Sequence, residues 1–211
     1  MHKNTNRVIS YIDGFNFYFG LRSKGWRNYY WLDYAALTRA YVQNHQTFIH
    51  CHYFTARISD RSGNNGQSAQ NQKLWLEAVE SRSDTTCHYG QYLAKKQQCK
   101  SCGASWTSHE EKMTDVNIAT QLILDAYDDK FDTAIIMSGD SDLTTPIKML
   151  RERFENKRFV VAFPPGRESF HLGEVATAHT YIRKNKLRKS LLPDTLKNRA
   201  GYEVKRPDAW R

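Results

Sequence analysis

Hydrophobic positions along the chain switch between two periods, and the switching predicts alternating strands and helices. Residues 8–12 and 133–137 are short, mainly apolar runs with the length of buried strands. The aromatic-rich run at 48–56 and the run at 159–163, stopped by Pro164-Pro165-Gly166, predict two more strands. Residues 86–93 predict a fifth. Helical spacing lies between them. Ala35, Leu37, Ala40 and Tyr41 mark a helix over 34–43, with Asp33 as its N-cap. Leu74, Trp75 and Val79 mark one over 69–81, and Val116, Ile118, Ala119, Leu122, Ile123 and Ala126 mark another. Helices are also predicted from 143 to about 154 and over 168–181. The stretch 60–68 is too polar and glycine-rich to pack, and 95–111 breaks the pattern. This alternation favours βαβ units, hence an α/β fold around a mainly parallel sheet.

At 211 residues the chain is long enough for one good core. A 40% hydrophobic and 13% aromatic content argues against disorder. No apolar run reaches the roughly 18 residues of a membrane span, and no signal-type segment follows the basic N-terminus, so a cytoplasmic protein is expected. The net charge is +9. From Arg183 onward, ten Lys/Arg stand against three Asp/Glu, so most of the excess sits in residues 183–211. These are expected to form a basic tail that attracts polyanions, with 1–182 as the folded domain.

Chemistry concentrates at strand ends. The first strand ends in Asp13-Gly14-Phe15-Asn16, and the strand at 133–137 ends in Ser138-Gly139-Asp140-Ser141-Asp142. Open α/β sheets place ligands at the carboxyl ends of their strands. Asp115 opens the helix that feeds the second of these strands. Each acid alone has an ordinary explanation as a helix cap or a first-turn acid. Their recurrence on consecutive units favours one shared site. Converging carboxylates repel unless a cation neutralises them, and hard Mg²⁺ or Mn²⁺ suits oxygen ligands. Asp13, Asp115, Asp140 and Asp142 are the expected ligands, with Asn16 and Ser138 orienting water or a phosphate oxygen. A metal site on a basic protein points to a phosphodiester substrate.

Cys99-Lys100-Ser101-Cys102-Gly103 has the spacing of a zinc knuckle. A structural zinc needs four ligands, and Cys87, His88 and His109 are candidates to complete the set within an insertion over about 87–111. A site shared between two subunits, or free thiols, are the alternatives. Arg22, Lys24 and Arg27 alternate with Trp26, Tyr29, Tyr30 and Trp31, a mixture suited to phosphates and exposed bases or to a packed sheet edge. Arg57, Arg61 and Arg167 lie near expected strand tips. Arg183, Lys184, Lys186, Arg188 and Lys189 supply affinity without sequence specificity.

Three segments, Tyr11-Ile12-Asp13-Gly14-Phe15-Asn16, Lys112-Met113-Thr114-Asp115-Val116-Asn117-Ile118-Ala119 and Ser138-Gly139-Asp140-Ser141-Asp142-Leu143, together resemble the NYN domain family. This is a PIN-like nuclease group that includes LabA- and DUF88-type proteins. The resemblance covers about residues 7–180. It implies a Rossmann-like α/β/α sandwich and metal-dependent ribonuclease activity. It also implies that Asp13, Asp115, Asp140 and Asp142 bind the metal, with Asn16 supporting them. The cysteine-bearing segment resembles an insertion of some LabA-type members that would brace the helix carrying Asp115. The expected function is therefore hydrolysis of RNA, as an endonuclease before an exonuclease. A non-catalytic RNA-binding or scaffold protein with a structural cation is the alternative, a phosphatase ranks behind both, and a homodimer is plausible.

Overall fold

The computed structural model describes residues 6–58 and 66–211, the side chains of residues 92–94 and 106–110 excepted. Its centre is a six-stranded sheet formed by β1 (Asn6–Asp13), β2 (Gln46–Thr55), β3 (Thr85–Tyr89), β6 (Thr133–Met137), β7 (Arg158–Phe163) and β8 (Ala178–Tyr181). The order is β3-β2-β1-β6-β7-β8, and every neighbouring pair is parallel. The chain winds outward from β1 through β2 to β3, then restarts at β6 on the other side of β1. The reversal leaves a crevice at the carboxyl ends of β1 and β6, where Asp13 and Ser138-Gly139-Asp140 lie.

Helices cover both faces. On one face lie α1 (Gly14–Ser23), α2 (Tyr34–Arg39) and α3 (Gly66–Glu80); on the other lie α4 (Thr114–Tyr127), α5 (Thr144–Arg153) and α6 (Phe170–Val175). Strand alternation divides the core accordingly. Val8 and Ile12 join Phe17, Leu37 and Trp75 on the first face, while Ile9 and Tyr11 join Ile118, Leu122 and Ile147 on the second. Asp13 continues the Ile9–Tyr11 alternation and so falls on the side of α4.

Four expectations change. Residues 14–23 form α1, which aromatic residues and two glycines hide from a propensity reading. It is held by the Asp13 cap, which accepts a bond from Asn16 N at 2.9 Å, and by burial of Phe17 and Leu21. The helix expected over 168–181 is only α6, and the chain then extends as β8 at the sheet edge. The stretch 95–111 belongs to a two-stranded ribbon, β4 (Gln91–Gln98) and β5 (Ser105–Lys112), with Cys99 and Cys102 at its turn. Residues 183–211 fold back onto the domain through α7 (Lys184–Lys189) and the pair β9 (Thr195–Lys197) and β10 (Glu203–Lys205). Leu187, Leu192 and Val204 are buried in the first core, and Trp31 Nε1 donates to Pro193 O at 2.8 Å. The apolar positions spaced through this basic stretch pin it down.

Candidate metal centre

Three acids meet at the crevice. Asp13, Asp115 and Asp140 each offer a carboxylate oxygen, and these oxygens all lie within 4.8 Å of one another. Asp13 is 3% exposed, whereas Asp115 and Asp140 are half-buried. The Asp13 carboxylate is locked in place. Its Oδ1 accepts from Asn16 N at 2.9 Å and its Oδ2 from Ser138 Oγ at 2.8 Å. Ser138 Oγ in turn accepts from Asp140 N at 3.0 Å. Asn16 Oδ1 accepts from Gly139 N at 3.0 Å, so its carbonyl braces the turn after β6. Ser138 is likewise engaged on both sides.

Asp140 is cap and cluster member at once. Its Oδ1 accepts from Asp142 N at 3.0 Å, starting a 3-10 turn at Ser141–Leu143. Asp142 is exposed and outside the trio, yet near enough to raise the pKa of Asp115. Asp115 reaches the crevice through an unusual joint. Met113, between β5 and α4, has φ +79°, a left-handed conformation costly for a side chain with a Cβ. Glu111 stabilises the helix start: its Oε1 accepts from Thr114 N at 2.9 Å and from the Thr114 hydroxyl. Sequence reasoning missed Glu111, whose charge also bears on Asp115. Its position four residues before Asp115 was the available signal.

Burial and the neighbouring acids raise the pKa of Asp13 and Asp115. Burial, then the charges of Asp115 and Asp140, outweighs two hydrogen bonds and pushes Asp13 up to about 7. Burial, then Asp140, Glu111 and Asp142, pushes Asp115 up to about 6. A divalent cation would reverse both costs, and an all-oxygen donor set suits a hard ion.

The segment after β7 closes one wall. A Cβ on Gly139 would stand 2.3 Å from Arg167 O, so only glycine lets the two turns touch. Gly139→Ala is expected to cost about 1–3 kcal/mol by overpacking and to weaken Mn²⁺ binding. Urea denaturation and a Mn²⁺ titration measure both, and an unchanged pair of values would show that the turn has slack. Arg167 Nε is buried with no hydrogen-bond partner among the described residues, as is Thr144 Oγ1 at the start of α5.

The other expected residues divide. Arg22 and Arg27 line a cavity beside Asp13, and Lys24 lies against Gly166 next to Arg167. Lys184 Nζ sits 5.0 Å from the Trp26 ring centre, but Lys186 donates to Ala40 O at the far end of α2. Arg183, Arg188 and Lys189 are exposed. Arg57 is paired with Glu80 at 3.4 Å and lies over Tyr89. Arg61 lies outside the described residues. Tyr29 and Trp31 are core residues, at 4% and 0% exposure, while Trp26 and Tyr30 stay half-exposed.

The zinc set does not assemble as expected. Cys99 sits in a knuckle-like turn, where the amides of Cys102 and Ser101 hold its thiol below the ordinary value. Cys87 and His88 are on β3, separated from that turn by the length of β4, about 26 Å at a strand's rise per residue. His88 Nε2 instead contacts His52 Nδ1 at 2.9 Å. The side chain of His109 lies outside those described. Among the described residues the acidic trio alone forms a cluster of three or more metal-ligand side chains.

Known proteins bear on this arrangement. The chain is 26% identical to 6-hydroxy-3-succinoylpyridine 3-monooxygenase HspA of Pseudomonas putida, over an alignment of 241 residues covering 97% of this chain and 75% of the relative. A crystal structure of a protein of unknown function from Vibrio parahaemolyticus superposes with a TM-score of 0.56 at 20% identity, covering 91% of this chain and 99% of that one. That likeness concerns the fold alone. The NYN domain model matches residues 7–170, which span all three acids of the trio, and the chain belongs to the NYN domain family of the PIN-like nuclease superfamily.

Proposed function

We propose that this protein is a divalent-cation-dependent ribonuclease, a phosphodiester hydrolase acting on RNA. The observation that carries the reading is the convergence of Asp13, Asp115 and Asp140 at the sheet's switch point. A bound Mg²⁺ or Mn²⁺ would neutralise the acids, activate water and offset charge on the phosphate. The chain's own residues do the positioning. Ser138 and Asn16 N fix the Asp13 carboxylate, Glu111 and the Met113 joint aim Asp115, and Asp140 is held by the turn it caps. Asp142 serves from the rim. Arg167, half-buried on the turn that touches Gly139, would meet a phosphate oxygen through its guanidinium. Arg22, Lys24, Arg27 and Lys184 draw the strand in by charge. Cys99 and Cys102 would supply two ligands of a structural zinc, with the rest from outside the ribbon turn.

Incubating the purified protein with a diverse RNA panel in Mn²⁺ tests this. Cleavage is expected, with loss in EDTA and in Asp140→Asn. Binding without cleavage across the panel would favour the non-catalytic RNA-binding alternative. An aromatic cavity beside the acids, together with the pseudomonad relative's name, motivates one further reading: oxidation of a hydroxylated pyridine. Oxygen uptake with 6-hydroxy-3-succinoylpyridine and a reductant, without RNA cleavage, would put that reading first.

A further inference from the structure

Beside Asp13, on the α1–α3 face of the strand tips, the fold holds a cavity of about 500 Å³. Gly14 and Phe15, the two residues after Asp13, form part of its wall, and Asp13 is near enough to act on the ionisation of the floor residues Tyr34 and Tyr53, so the cavity adjoins the acidic trio across the tip of β1 although none of the three acids lines it. Its floor is aromatic and buried. Tyr34 and Tyr53 stack with ring centres 5.0 Å apart, and Trp75 meets Tyr53 edge-on at 4.9 Å. The mouth is aromatic too, but wet. Tyr18 is 38% exposed and packs on Tyr30 at 4.9 Å, and Trp210 stands perpendicular to Tyr30 at 5.6 Å.

Trp210 is brought there across nearly the whole chain. Arg206 Nη2 donates both to Asn28 O and to Trp210 O at 2.6 Å, tying the C-terminal turn to the segment after α1. A pocket with this composition suits a flat ring better than an aliphatic chain, because a ring can stack on the aromatic side chains that line it. The polar groups are equally selective. Gln67 and Asn71 of α3 present side-chain amides to the wall, able to meet the hydrogen-bonding edge of a base. Arg22 and Arg27 sit at the mouth, near enough to act on the ionisation of Tyr30. Neither guanidinium has an ion-pair partner among the described residues, and both are placed for an anion attached to the ring.

We propose that this cavity is a nucleobase subsite, taking one base of the RNA strand while its phosphate group lies between Arg22, Arg27 and the acidic trio. The proposal rests on the ribonuclease reading and adds to it how the strand is held: by stacking of one base next to the cut, not by charge alone. A volume of about 500 Å³ falls in the range of ordinary small-ligand sites, so a single nucleotide fits and a folded duplex does not enter. The strand must be unpaired there.

Binding measured in EDTA, on the full-length protein, separates this from catalysis. The probes are the four ribonucleoside monophosphates, ribose 5-phosphate and inorganic phosphate, followed by tryptophan fluorescence and calorimetry. At least one nucleotide is expected to bind about tenfold or more tightly than ribose 5-phosphate. Tyr30→Ala and Trp210→Ala should erase that preference, Trp210→Phe should keep most of it, and Mn²⁺ affinity should stay near wild type in variants that circular dichroism shows to be folded. No preference over ribose 5-phosphate, or the same preference in the variants, overturns the proposal. So does tight binding of a free pyridine carboxylate with no binding of nucleotides. Failure to cleave RNA leaves the nucleotide preference standing, so the two readings fail separately.

Discussion

Asp13→Asn is expected to lower RNA cleavage by about a thousandfold or more, the scale on which loss of one group that stabilises developing charge is felt. Binding of RNA should survive, because the cations proposed to draw the strand in are untouched. The same substitution should make the cation-free protein more stable at neutral pH. Burial and the neighbouring acids raise the folded-state pKa of Asp13 to about 7, while the unfolded chain keeps an ordinary carboxylate. Between those values the folded protein binds more protons than the unfolded one, so stability falls as pH rises from about 4 to 7. Asparagine cannot ionise and escapes this loss. The gain of the variant over wild type should therefore be absent at pH 4 and reach about 2–4 kcal/mol at pH 8 in EDTA, read by urea denaturation. Adding Mn²⁺ should close the gap by stabilising only the wild type. Normal cleavage by Asp13→Asn would remove the assigned centre, and a gain independent of pH would show that Asp13 ionises freely.

The second large effect lies away from the crevice. Asp125→Ala is expected to destabilise the fold by about 3–5 kcal/mol, the range for removing one partner of a buried charged network. From sequence, Asp125, Asp128, Asp129 and Asp132 look like one solvated turn. Asp125 is instead fully buried and accepts from Tyr11 Oη at 2.8 Å, Gln121 Nε2 at 2.9 Å and Lys130 Nζ at 3.0 Å. His52 Nε2 lies 3.2 Å away, and His88 backs His52. These partners outweigh the burial penalty and hold the Asp125 carboxyl well below the usual carboxylate range. Its contribution is thus present above about pH 4 and lost as pH falls through the acid range, opposite in sense to Asp13. Alanine would orphan the Tyr11 hydroxyl in the core beneath β1. Asp125→Asn, which can still accept from Tyr11, should cost less. Equal losses for the two variants, or a loss below about 1 kcal/mol, would show that the network carries little stability.

Both effects turn on the same limitation of sequence patterns. Periodicity showed where buried elements lie, because burying apolar side chains requires the strand or helix repeat whatever the partner is. That sufficed for β1, β2, β6, β7, α3, α4 and α5, and for Asp33 as the cap of α2, which accepts from Ala36 N at 2.8 Å. It did not suffice for α1, where a helix of aromatics and glycines is held by packing and one cap. It also failed for β8, whose edge position is decided by the last parallel pairing with β7.

The acids follow the same division. Asp13, Asp115, Asp140 and Asp142 stand out in sequence because strand ends and helix starts are local features, and the residue types that ligate cations are few. Local pattern also determined the α/β alternation and hence the parallel sheet. Which acids converge is a matter of distance, and distance came from the strand order that sets β1 beside β6 and from the left-handed joint at Met113. Tertiary packing alone made Asp140 rather than Asp142 the third member of the trio and turned Asn16 toward Gly139. It also sank Asp125 into the core and brought Trp210 to a cavity beside Asp13. Each of these joins residues far apart in the chain through contacts that only the folded sheet creates, and no repeat in the sequence records them.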